Sequence, residues 1–151
     1  MSSSPLESCA LSACRGFAIG AILGVPWSFV SPRREATPAA AALRVARSSA
    51  RLGAVLTSYT ALRCGLSEHT KSVVAPALLA GGVVTTVPTL LAPARFKSAL
   101  ATVRLSAAPL GMSASLTGAK AVAAVAGSSM LSGAVVFGGA DLLLHVLGVR
   151  W

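Results

Sequence analysis

Four apolar runs separated by short polar breaks make up most of the chain, at about residues 10–31, 45–66, 72–92 and 121–147. Each comes close to the ~20 residues that a helix needs to cross ~30 Å of hydrocarbon. No alternation of apolar and polar positions lasts long enough to make barrel strands. The apolar positions are filled by Ala, Val, Leu and Gly with few aromatics, which suits close helix packing better than a barrel girdled by aromatic rings. The pattern predicts an all-α integral membrane protein, one membrane domain over residues 1–151 with four transmembrane helices and glycine-rich packing.

Within these runs the small residues are spaced for contact. Gly16, Gly20 and Gly24 lie four apart on one face of the first helix, and further small residues recur at Gly81-Gly82, Gly127, Ser128, Gly133 and Gly138-Gly139. Lipid supplies little hydrophobic drive between helices, so association there depends on close van der Waals contact at such faces. The expected packing residues are Gly16, Gly20, Gly24, Gly81, Gly82, Gly133 and Gly138. Pro26 falls near the end of the first run, and Pro76 and Pro88 fall in the first and last turns of the third. Neighbouring helices can satisfy the carbonyls that prolines free, so both runs are read as unbroken spans. Trp27 and Phe29 mark an interfacial end of the first helix.

The polar breaks carry the charge. The loop over residues 32–51 holds Arg33, Arg34, Arg44, Arg47 and Arg51 against Glu35, and the loop over residues 93–120 holds Arg95, Lys97, Arg104 and Lys120 with no acid. By the positive-inside rule both basic loops face the matrix or cytoplasm and both termini face the other side. Arg44, Arg47 and Arg51, spaced three and four apart, form a stripe at the base of the second helix whose stems can lie along apolar surface. Together with Arg33 and Arg34 they can hold anionic lipid such as cardiolipin. Residues 100–118, interrupted by Arg104 and Pro109, are read as an interfacial helix or loop, with a fifth span as the alternative.

Composition removes several classes of function. With 54% hydrophobic and only 11% charged residues among 151, the chain lacks the polar surface of a water-soluble domain. The net charge of +9 would suggest nucleic acid on a soluble fold. Here the charge sits in the breaks, with no basic face interleaved with aromatics, so nucleic-acid binding is not expected. Residues 1–9 contain no basic residue, so neither a secretory signal nor an Arg-rich transit peptide is expected and targeting would be internal.

Little in the sequence suggests catalysis. Cys9, Cys14 and Cys64 lack zinc-like spacing, and there are two histidines in all. Antiparallel packing of the first two helices would bring all three cysteines to one membrane face. There Cys64 can bridge one of the other two, or the thiols can act as small buried apolar groups. Asp141 is the single acid within an apolar run, and an intramembrane acid marks a functional candidate. It can line a polar groove with His145, or it can sit at headgroup depth and pair with Arg15 or Arg63. Glu68, His69 and Lys71 share one short turn without a third positioning group, which reads as a solvated turn. No phosphate loop, dinucleotide fingerprint or activated serine appears. The chain is expected to be non-enzymatic, with no cofactor, metal or small-molecule substrate.

Cys14-Arg15-Gly16 leading into the Gly16, Gly20, Gly24 series, Leu62-Arg63-Cys64-Gly65 at the end of the second helix, Gly81-Gly82 in the third, and Gly133, Gly138 and Asp141 in the last together span most of the chain. In these features it resembles the preprotein and amino acid transporter family of four-helix membrane proteins. That family includes channel-like subunits of mitochondrial inner-membrane import translocases, and it is similar to an accessory membrane subunit of respiratory complex I. The chain departs from the family pattern between helices 2 and 3, where an Asp-containing patch is replaced by Glu68, His69 and Lys71, and in its longer, more basic loop between helices 3 and 4. The resemblance implies a multi-pass protein of the mitochondrial inner membrane, with basic loops toward the matrix and termini toward the intermembrane space. It would act as a non-catalytic accessory subunit, with respiratory complex I as the first reading, and its partners would be the other membrane subunits. A subunit of an import translocase is the alternative, and a small-solute channel a further one.

Overall fold

The computed structural model describes residues 5–30, 37–72, 74–108 and 117–148, and it is helical throughout apart from the short connections. The helices are α1 (Pro5–Val30), α2 (Pro38–His69), α3 (Val74–Leu91), α4 (Pro93–Ala107), α5 (Gly118–Gly133) and α6 (Gly139–Val146). A π-helical turn, Ala134–Gly138, joins α5 to α6 without a break. The chain divides into two compact units, residues 1–71 and 72–150.

Local chemistry accounts for the helix boundaries. Pro5, Pro38 and Pro93 each open a helix, where the missing N–H costs nothing because the first turn has no intrahelical acceptor for it. At α2 the Thr37 hydroxyl oxygen accepts from the Ala40 N–H at 3.2 Å, and at α3 the Ser72 hydroxyl oxygen does the same for Ala75 at 3.3 Å. Ala92 is extended, as the residue before a proline prefers, and this separates α4 from α3. Gly148 takes φ +73°, a left-handed conformation that glycine adopts without a Cβ penalty, and its N–H bonds to the His145 carbonyl at 3.1 Å to close α6.

Three helices are long and apolar enough to cross a membrane: Glu7–Val30, Val74–Leu91 and the continuous Gly118–Val146. They fit a multi-pass membrane protein. The second helix differs from its expected bounds of 45–66 because Thr37 and Pro38 start it early. Arg44, Arg47 and Arg51, expected as a stripe at the base of the second helix, lie within α2, and α2 is not among the helices apolar enough to cross a membrane. The segment expected as a basic loop over 93–120 contains α4, whose Arg95, Lys97 and Arg104 are exposed. Arg33, Arg34, Glu35 and Pro109 lie outside the described residues.

Candidate functional site

In the first unit α1 and α2 lie antiparallel along a seam of small residues. Gly16 meets Leu56 and Thr60, Gly20 meets Leu52 and Gly53, and Gly24 meets Ser49. The helix backbones touch here. A Cβ added to Gly20 would stand 2.5 Å from the Leu52 carbonyl oxygen and 2.8 Å from the Gly53 Cα, so no side chain fits without driving the helices apart. The series runs one turn beyond the three expected glycines, because Ser28 is also buried and donates to the Val25 carbonyl at 2.7 Å. Its four-residue spacing from Gly24 was visible in the sequence. Gly53 was not, since its role depends on the Phe17 ring that crosses over it from α1.

Two of the hydroxyl groups beside the seam are satisfied within their own helix. Thr57 donates to the Gly53 carbonyl at 2.7 Å and Thr60 to the Leu56 carbonyl at 2.9 Å. Such back-bonding hides a polar group in apolar surroundings at little cost.

A covalent clasp closes the end of this unit at the start of α1. Cys9 and Cys64 form a disulfide with Cα atoms 5.6 Å apart, bridging the start of α1 to the end of α2. Of the alternatives open for the three cysteines, Cys14 is the free one, and it is exposed, not a buried apolar thiol. The Glu68 carboxylate lies 4.0 Å from the Cys9 sulfur. A disulfide sulfur carries no proton, so this is a contact and not a hydrogen bond.

At the other end of the hairpin lies the arginine stripe. Ser49, Gly53, Leu56 and Thr60 face α1, and Arg47 and Arg51 sit about half a turn round α2 from them. Both are exposed, while Arg44 is half-buried.

In the second unit α3 packs against the continuous α5–α6 helix. Gly81 meets Gly133 and Phe137, Gly82 meets Met130, Gly133 meets Thr85, and Gly138 meets Leu78. A Cβ on Gly81 would lie 2.6 Å from the Gly133 carbonyl oxygen. Ala77, Ala80, Val84, Ala121 and Val125 complete the buried core. Thr85 donates across the interface to the Ser129 carbonyl at 2.8 Å, an interhelical bond not foreseeable from composition. Gly127 and Gly139, small residues of the same sequence series, face open space.

Asp141 is buried, with 8% of its surface exposed. Gly138 packs on Leu78, so one turn further along α6 places Asp141 level with the first turn of α3. The free N–H groups of a helix start and its positive dipole end favour a carboxylate at that level. His145, one turn on, is exposed. Glu68, His69 and Lys71 are exposed as well.

No family model, curated protein or solved structure matches the chain. Among the described residues no group of three or more His, Cys, Asp or Glu could hold a metal ion. The arrangement these residues make is one of packing. Two backbone-close helix pairs, one closed by a disulfide and the other by a hydroxyl bridge and a buried acid, leave large apolar side chains on their outer faces.

Proposed function

We propose that the protein is a non-catalytic, structural membrane subunit of a larger mitochondrial inner-membrane assembly. The resemblance favours respiratory complex I. The observation that carries this reading is the α1–α2 hairpin, which is packed backbone to backbone through Gly16, Gly20 and Gly24, clasped by Cys9–Cys64, and lined outside with apolar groups such as Ile22, Leu23, Trp27 and Phe29. A stiff pair of helices with an apolar exterior suits docking against neighbouring membrane helices and lipid.

In this reading α2 is the fourth crossing. It lies along α1 through most of its length, and a helix packed against a spanning partner shares its depth. Disulfides persist in oxidising compartments. The clasped end therefore faces the intermembrane space, and the arginine end faces the matrix, the same orientation that the positive-inside rule assigns. Both termini then lie on the intermembrane-space side.

The test combines a native gel with a pull-down. Tagged protein extracted from mitochondria in mild detergent should bring NADH dehydrogenase subunits in stoichiometric amounts, and Gly20→Leu should drop out of that complex. Normal assembly of Gly20→Leu would count against the packing role. Recovery of presequence-receptor and import-motor subunits would move the protein to a translocase.

A further inference from the structure

Two arginines on the outer side of α2 call for an anion that this chain does not bring to them. Gly24 packs on Ser49 in an antiparallel pair, so Arg51 is level with Ile22 of α1 and Arg47 with Pro26. Both levels fall inside Glu7–Val30, the part of α1 able to cross a membrane. A cation at such a level is expensive toward lipid, and it is stable when it faces the interior of a bundle and pairs with a carboxylate. Arg47 and Arg51 are exposed and face away from α1. The four acids of the chain are Glu7, Glu35, Glu68 and Asp141. Glu7 and Glu68 belong to the disulfide end of the hairpin, Asp141 is buried in the other unit, and Glu35 lies outside the described residues.

The arginines stand in a row that is spaced for a helix. The residues of α2 that meet α1, Ser49, Gly53, Leu56 and Thr60, are spaced four, three and four apart. Half a turn round, Arg47, Arg51, Ala54, Ser58, Ala61 and Gly65 repeat that spacing, and all six are exposed. Alternation of four and three is the pattern of a helix packed lengthwise on another. α2 therefore has two seams, one filled by α1 and one open. Between Ala54 and Gly65 the open seam carries nothing larger than Ser58, whereas the outer side of α1 carries Ile22, Leu23, Trp27 and Phe29. Lacking the apolarity to cross a membrane alone, α2 gains cover when its second seam is filled.

A second copy of the chain does not suit the seam. Copies inserted with one topology would set their α2 helices parallel, and matching positions of a parallel seam meet, Arg47 against Arg47 and Arg51 against Arg51.

We propose that the outer seam of α2 receives a transmembrane helix of another protein, with carboxylates at the level of Arg47 and Arg51 and small residues along the rest of its contact face. Each guanidinium can hold a carboxylate through two parallel hydrogen bonds. This rests on the reading of the protein as a membrane subunit and names the surface through which the hairpin docks.

The test puts photo-leucine, a diazirine side chain, in place of Leu62, which flanks the seam and is 39% exposed, in full-length protein in its native membrane. Irradiation should give an adduct with a second protein whose crosslinked helix, read by mass spectrometry, carries Asp or Glu level with the arginines. Arg47→Glu/Arg51→Glu should abolish the adduct, and exchanging the partner's acids for Arg should restore it. Ala54→Leu/Ala61→Leu should abolish it too. The Cys9–Cys64 bond should stay intact in every variant, because these side chains point away from α1. An adduct with a second copy, with a helix that has no acid, or one that survives Arg47→Glu/Arg51→Glu overturns the proposal. Adducts with lipid alone overturn it while leaving the hairpin in the membrane, and adducts with neither lipid nor protein overturn the membrane reading as well.

Discussion

The two units meet the same requirement by different means. Each brings two helix backbones together through glycines, Gly16, Gly20 and Gly24 in the first and Gly81, Gly133 and Gly138 in the second. The first closes its end with a covalent bond between Cys9 and Cys64, and its Thr57 and Thr60 hydroxyls bond within α2. The second bonds across the interface through Thr85, bulges into a π turn at Ala134–Gly138, and buries Asp141 against the level where α3 begins. Glycine packing therefore supplies contact in both. The end of each pair is secured by whatever chemistry the local sequence offers, sulfur in one and polar groups in the other.

The severest test of this comparison is to fill the seams. Gly20→Leu and Gly81→Leu put side chains against backbone, which cannot move aside as a side-chain tip can. Each should cost more than the ~3 kcal/mol of ordinary overpacking and unfold its own unit. Unfolding in mixed micelles, followed by proteolysis of each half, would show this. If Gly20→Leu left residues 1–71 as resistant as before, the backbone contact would not hold the hairpin together.

Next in size is the clasp. Cys9→Ser/Cys64→Ser should lower the stability of the first unit by about 3 kcal/mol, since the bond closes a long loop in the unfolded chain. The second unit should not respond. A reductant titration that moved both units equally would show that they do not unfold separately.

Asp141→Ala should destabilise the second unit by about 2 kcal/mol by leaving its buried partner groups unpaired, and Asp141→Asn should recover part of that loss. Equal stability of wild type and the alanine variant, read from the same proteolysis, would remove Asp141 from the structural account. A smaller effect separates the two kinds of hydroxyl. Thr85→Val, which removes an interhelical bond, should cost about 0.6 kcal/mol, while Thr57→Val, which removes only a bond within α2, should be close to neutral. The smallest effect has the opposite sign. Gly139→Ala fills open space on a helix and should stabilise by up to about 1 kcal/mol through helix propensity.

Much of the fold was legible because its signals are local. A run of apolar residues bounded by Pro and Thr or Ser reports a helix from neighbouring positions alone, and the spacing of Gly16, Gly20 and Gly24 reports a face. The candidate residues were less legible where their role depends on what lies opposite. Gly127 and Gly139 belong to the same series as Gly133 and Gly138 in sequence, yet they point into open space, because a helix presents only part of its circumference to a partner. Gly53 gains its role from Phe17, and Thr85 from the Ser129 carbonyl, both across a helix pair. The start of α2 lies ahead of its apolar run, because Thr37 and Pro38 set it through capping chemistry that hydropathy does not read.

Taken by itself, the sequence determined that the protein is helical and apolar, with runs long enough to cross a membrane and its basic charge gathered in a few places. These are properties of composition and periodicity, which each stretch of chain carries without reference to another. Only the tertiary structure decided which cysteine joins Cys64 and which glycines are in contact. Those answers depend on the register between α1 and α2 and between α3 and α5, and register is settled by side chains and backbones meeting across space.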